Sequence, residues 1–180
     1  LGFFSGLNVY AVIFVSGLAM RAHWLTLTPQ LQSLHVLSSP KIMIVSGVMG
    51  RALDMSVDYM KTRVQFGKPI GSFQALAHRA VDLHIQRELS SAVLDDAVAL
   101  FDAGASGTRR SAMASRVKAR CSEAGLRITR EAIQIHGAIG FTDEYDAGLY
   151  LKRALTLSAW LGNAAQHRRR YAELAAANHE

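Results

Sequence analysis

The sequence predicts an all-α fold, an antiparallel four-helix bundle. Apolar residues recur at intervals of three and four along four long stretches. Short glycine-rich runs separate those stretches, and the strict alternation of a β-strand is almost absent. Composition agrees with a globular chain. Of 180 residues 50% are hydrophobic and 19% charged, which is too apolar for a disordered segment and enough to bury a core without staples.

The beginning of the chain departs from this pattern. Leu1 to Met20 carries no charged side chain, and its length could span a bilayer. Gly2, Ser5, Gly6, Asn8, Ser16 and Gly17 dilute the run, and no basic leader or initiator methionine precedes it. Residues 1–37 are therefore expected to be an atypical apolar segment, a packed remnant or a poorly ordered stretch rather than a membrane span. A chain that starts on leucine is expected to be a fragment. Residues 38–180 hold the bundle.

Ser38-Ser39-Pro40 reads as the start of the first helix, with Ser39 as cap and Pro40 at the first helical position. Ile42, Val45, Met49, Leu53 and Val57 follow at helical spacing. Gly67, Pro69 and Gly71 break the pattern and predict an ordered turn over 63–71. Ser72 is expected to cap the second helix, whose inner face carries Phe73, Leu76, Ala80, Leu83, Leu94, Val98 and Phe101. Asp102 to Gly107 ends it. A third helix starts at Thr108 and buries Met113, Val117, Cys121, Ala124, Ile128, Ala132 and Ile135. Gly137 and Gly140 stop it. A fourth helical stretch covers about 147–176, with Gly162 placed to break it in two.

Several function classes fall away. The net charge of +6 favours anionic partners. The charge is scattered, however, and its densest run, Arg168-Arg169-Arg170, suits a helix C-terminus. No basic stripe interleaved with aromatics exists, so nucleic acid is not expected. The single cysteine, Cys121, excludes an intrachain disulfide and fits a reducing, cytoplasmic setting. No ligand-spaced Cys/His cluster is present, so no metal is expected.

Two clusters carry candidate chemistry. Arg63-Val-Gln-Phe-Gly-Lys-Pro-Ile-Gly-Ser-Phe-Gln74 groups an Arg, two Gln and two Phe at a glycine turn, which core packing does not require. An Arg fork suits a pyrophosphate, a Phe face suits a flat ring, and Gln amides both donate and accept. The alternative is a plain inter-helix turn with Arg63 in solvent. In the second cluster, Gln134 precedes a glycine-rich stop where small residues at 137, 138 and 140 let a ligand approach the backbone. His136 is open between acid–base work and packing. Asp143, Glu144 and Asp146 crowd carboxylates before the last helix, where the helix dipole favours them.

Together these clusters resemble the acyl-CoA dehydrogenase family. Its signature R-x-x-F-G-x-x-I-x-x-x-Q stands here as Arg63, Phe66, Gly67, Ile70 and Gln74. Its second signature, E-A-I-Q-x-x-G-G-x-G-F-T, stands as Glu131 to Gln134, Gly137-Ala138 and Gly140 to Thr142. Glu144-Tyr145, Tyr150 to Arg153, Arg51 to Asp54 and Tyr59 extend the match over roughly residues 38–175. The resemblance implies the C-terminal helical domain of an FAD-dependent enzyme of fatty acid metabolism, one that dehydrogenates an acyl-CoA between its α and β carbons. It implies an oligomer, homomeric or heteromeric, with the flavin site at the subunit interface, and an electron-transferring acceptor protein. Arg63 would hold the FAD pyrophosphate of a neighbouring subunit. Gln65 and Phe66 would line its adenine side, Gln74 would add a polar contact, and Gln134, Gly137 and Ala138 would meet the same cofactor. Ala138 replaces the commoner Gly.

One departure from the family is larger. Most members carry the catalytic Glu in a Tyr-Glu-Gly triplet, which falls here on Trp160-Leu161-Gly162, the expected substrate lining. Leucine cannot accept a proton. The alternative base position falls on Leu37, and a CoA-contacting Arg position on Ser38. The catalytic residue is thus unknown, with Asp143 and Glu144 as weak candidates. Three explanations stay open: a base elsewhere in this chain, a base from a partner subunit, or a chain that completes a flavin site, or merely packs as a helical interaction module, without catalysing.

Overall fold

A computed structural model describes residues 45–105 and 107–176. Residues 1–44, which include the apolar segment, Leu37, Ser38 and the predicted start at Ser39-Pro40, lie outside the described residues. A π-helical turn, Val45–Met49, leads into α1 (Gly50–Thr62). Two-residue strands β1 (Val64–Gln65) and β2 (Lys68–Pro69) follow, then a 3-10 turn, Ile70–Ser72. The long helices are α2 (Gln74–Asp102) and α3 (Gly107–His136). A second 3-10 turn, Gly137–Phe141, and a loop lead to α4 (Ala147–Ala159) and α5 (Ala164–Ala176).

Pairs between helices fix the topology. Asp54 of α1 meets Arg87 of α2, and Arg79 and Asp96 of α2 meet Glu131 and Arg116 of α3. The two α2–α3 pairs run in opposite directions along the chain, and the β1–β2 hairpin turns the chain back from the end of α1 into α2, so α1, α2 and α3 alternate up, down and up. Lys118 of α3 reaches Leu157 of α4, while Tyr145 just before α4 stacks on His136 at the other end of α3. The fourth helix therefore runs down. The predicted antiparallel bundle is what the chain forms, with α3 as the axis that every other helix touches.

The core follows the predicted apolar set, except that Phe101 is half-buried with Arg110 over its ring, and Ile42 and the Val45 side chain lie outside the described residues. Met49, Leu53, Leu83, Leu94, Val117, Ala124, Ile128, Ala132 and Ile135 are buried together, and Val57, Phe73, Leu76, Ala80, Val98, Met113 and Cys121 pack against them. Each buried large aliphatic side chain contributes about 1.5–3 kcal/mol. Gly162 does break the last stretch: it takes φ +102°, and the chain turns between α4 and α5. Two local expectations change. The turn over 63–71 is a small β-hairpin. Ser72 does not cap α2, because its Oγ donates to Pro69 O at 2.7 Å, and the helix starts after Phe73 with no side-chain cap.

Candidate functional site

α1 ends because Arg63 turns extended, at φ −72° and ψ 119°. The backbone N–H of Ile70 then donates to Arg63 O at 2.8 Å, and the strands pair Val64 with Pro69 and Gln65 with Lys68. Two residues close the hairpin, Phe66 at φ 54° and Gly67 at φ 78°. Positive φ at both positions is what a tight two-residue hairpin turn requires, and Asn or Asp normally fills the first. A phenylalanine there is strained. The residue is also 91% exposed. Phe66 touches Phe73 edge-on, with centroids 6.1 Å apart, and Lys68 Nζ lies 4.5 Å over the Phe73 ring. Phe73 is the anchor, and Phe66 is held out into solvent.

Arg63 is exposed, and no ion pair or hydrogen bond engages its guanidinium among the described residues. Gln65 is exposed, and its Nε2 donates to Val64 O at 2.9 Å. Gln74 is exposed at the first turn of α2. At Gly71 a Cβ would meet Met60 O at 3.0 Å, so glycine lets the hairpin fold back on α1.

The C-terminal end of α3 stands at the same end of the bundle. Gln134, Gly137 and Ala138 are exposed. Gly137 takes φ +63° and would meet nothing within 4 Å if it bore a Cβ, so the backbone there is open to close approach. Ala138 is not among the residues with positive φ, which makes alanine tolerable in place of glycine. His136 is only 3% exposed. Its Nδ1–H donates to Ala132 O at 2.7 Å, and its ring clusters with Tyr59 and Tyr145, each centroid 4.5 Å from it and the two Tyr centroids 6.3 Å apart. Of the two readings open in the sequence, packing is the one the structure gives. Burial pushes the Tyr145 phenol up, Tyr59 adds to the effect and Arg51 opposes it. The stack ties Tyr59, four residues before Arg63, to the turn that carries Gly137.

The corner between α4 and α5 is a separate place. Leu161 takes φ 60° and is 60% exposed, beside exposed Trp160. His167 Nε2 is 2.8 Å from Leu161 O. Asn163 Oδ1 accepts from Gln166 N–H, and Asn163 N–H donates to Gln166 Oε1, both at 2.9 Å. This reciprocal capping box starts α5. The N-x-x-Q spacing could have revealed it in the sequence. Behind the corner a cavity of about 50 Å³ is lined by Met49, Val117, Lys118, Cys121, Leu157 and Trp160. Burial pushes the Cys121 thiol up to about 12 against the opposing pull of Arg120 and Lys118.

The structure thus brings Arg63, Gln65, Phe66, Gln74, Gln134, Gly137 and Ala138 to one end of the bundle. It does not bring Asp143 and Glu144 to the corner. Both are exposed in the loop before α4, whose 13 residues separate them from Trp160 by about 20 Å. Among the described residues, no helix is long and apolar enough to cross a membrane.

The family model of the acyl-CoA dehydrogenase C-terminal domain matches residues 37–175. A domain of unknown function (DUF4126) matches residues 1–65. The acyl-CoA dehydrogenase IpdE2 of Mycolicibacterium smegmatis is 44% identical over 124 residues, which is 69% of this chain and 37% of that protein. The structure of butyryl-CoA dehydrogenase from Megasphaera elsdenii superposes with a TM-score of 0.68 at 26% identity, over 74% of this chain and 35% of that one. The ChsE4–ChsE5 complex from Mycobacterium tuberculosis superposes with a TM-score of 0.69 at 27% identity, over 79% and 38%. The chain spans little more than a third of the length of these relatives.

Proposed function

Because this chain belongs to the acyl-CoA dehydrogenase family, as its C-terminal domain, we propose that it supplies that domain to an FAD-dependent enzyme that converts an acyl-CoA thioester to the enoyl-CoA. One observation carries the reading. An uncommitted guanidinium, a ring held out of a strained turn, three exposed amides and an open glycine backbone converge on one end of the bundle.

FAD held by Arg63, Phe66 and the Gln amides would supply the acceptor for the hydride lost from the β carbon. The chain's own residues do the positioning. Arg63 clamps the pyrophosphate with a planar fork of donors. Phe66 offers a face to the adenine ring, and Gln65, Gln74 and Gln134 satisfy the polar edges of the nucleotide. Gly137 and Ala138 let the cofactor reach backbone height. At the far end of α4, Trp160, Leu161 and Gly162 form a wall of the substrate site. With the two ends about 20 Å apart, the hairpin end serves a neighbouring subunit's flavin while the corner serves another site. The assembly is an oligomer that passes electrons to an acceptor protein, and Cys121, a thiol with no partner cysteine, suits a cytoplasmic setting.

The α proton needs a base, and Leu161 cannot provide one. Asp143 and Glu144 lie a helix length from the corner. This favours a second reading in which a partner polypeptide brings the carboxylate. The ChsE4–ChsE5 complex is a relative built from two different chains.

The test is an assembly that joins this chain to a β-domain-bearing subunit under full FAD supply. Bound flavin, together with acyl-CoA-driven reduction of an electron acceptor, is the expected result. A colourless, inactive assembly rejects the proposal. Full activity of a homomer carrying Leu161 rejects the partner-supplied base alone.

A further inference from the structure

Lys118 is a cation inside the bundle, 8% exposed. An ammonium removed from water is stable only where fixed acceptors replace its hydration. Two are present. Lys118 Nζ donates to Leu157 O at 2.5 Å and to Ser122 Oγ at 3.0 Å. Ser122 belongs to α3, like Lys118 itself. Leu157 belongs to the last turn of α4, where carbonyls run out of helical N–H partners.

The neighbouring carbonyls of that turn are satisfied locally, Thr156 O by the Trp160 N–H and Ala159 O by the Gly162 N–H. Leu157 O is satisfied from another helix. A cation at this place also meets the negative end of the α4 dipole. Beyond Leu157 the chain turns through Trp160, Leu161 and Gly162, the last two at positive φ. Trp160 and Lys118 line the same cavity. The other side of the corner is held independently by His167 on Leu161 O and by the Asn163–Gln166 box.

We propose that Lys118 is a positioning residue: its ammonium clamps the last turn of α4 to α3 and so sets where Trp160 and Leu161 stand. Its importance for catalysis rests on the reading of this corner as a substrate wall; the clamp itself does not.

The chain has two tryptophans, Trp24 and Trp160, so a Trp24→Phe background makes Trp160 the sole reporter. In that background Lys118→Met keeps the stem and removes the donors, while Lys118→Arg keeps charge and donors. The expected result is unchanged helical circular dichroism in both. Trp160 emission shifts to the red and acrylamide quenching rises in Lys118→Met, and Lys118→Arg restores the parent signal. A folded Lys118→Met chain with the parent's emission and quenching overturns the proposal. Should Lys118→Met fail to fold, the parent chain decides by NMR. A slowly exchanging Lys118 ammonium resonance with a through-hydrogen-bond coupling to the Leu157 carbonyl supports the clamp. An ammonium that exchanges as fast as exposed lysines overturns it. Butyryl-CoA titration of each chain within the assembly that carries the β-domain-bearing subunit separates the two claims. A Trp160 response that weakens in Lys118→Met supports both. No response in either chain, with the acrylamide difference intact, removes the substrate wall and leaves the clamp.

Discussion

Arg63 and Lys118 differ in what surrounds the charge. Arg63 stands exposed on the hairpin with no ion pair among the described residues, whereas Lys118 is buried and bonded to the end of another helix. The sequence left Arg63 open between a cofactor ligand and a solvated turn residue; its exposure on the hairpin agrees with either, and the flavin content of an assembly carrying Arg63→Ala separates them. Lys118 was not legible, since one polar residue between Val117 and Ala119 looks like any outward position until depth is known. Cys121 carries a prediction of its own. Burial favours the neutral thiol in the folded chain, pushed up to about 12 from an ordinary 9.0. Above about pH 9 the unfolded chain releases the thiol proton and the folded chain keeps it, so this group lowers stability as pH rises from 9 toward 12 and has no effect below 8. Denaturation midpoints followed against pH should fall more steeply in the parent than in Cys121→Ala, while Tyr145, shifted the same way, contributes equally to both. Identical slopes contradict the buried thiol.

At the scale of elements, helix periodicity placed α2, α3 and the last stretch to within a residue or two, and Gly162 marked the break. What periodicity could not show was local hydrogen bonding. Ser72 stood in capping position but bonds back to Pro69 O, and strands of two residues are too short to alternate. The hairpin also shows a choice against stability. Phe66→Asn puts the residue this turn prefers at φ 54°. The thermal midpoint should rise slightly, by about 0.5–1 kcal/mol of stability, and flavin affinity in the assembly should fall. A midpoint that drops would show the exposed ring to be structural. Gly137→Ala places a Cβ at φ +63° in otherwise open space, so only backbone strain acts. The expected loss is about 1–2 kcal/mol, read by urea denaturation. No loss would mean that the turn relaxes out of the left-handed region.

Taken as a whole, the molecule presents two ends and an unfinished surface. Val81, Ile85 and Leu89 of α2 stand exposed at intervals of four while Leu83, Leu94 and Ala97 fill the core. The sequence could say that α2 is apolar but not that both its faces are. The bundle was legible because its periodicity is strong. The catalytic base was not legible because the residue that the resemblance places at the usual position is Leu161, and a leucine side chain cannot accept a proton. Leu161→Glu should therefore raise acyl-CoA-driven acceptor reduction above that of the unsubstituted homomeric assembly. No gain, with flavin still bound, would mean that the corner does not face the thioester. In the proposed flavin site the hairpin and the end of α3 together form the nucleotide half. The most direct measurement is the flavin content of the assembly carrying Arg63→Ala, with Gln134→Ala beside it. Loss of charge-assisted bonds worth about 1.5–3 kcal/mol predicts flavin affinity roughly ten- to a hundredfold weaker for Arg63→Ala and a smaller loss for Gln134→Ala. Unchanged flavin content in both variants would contradict it.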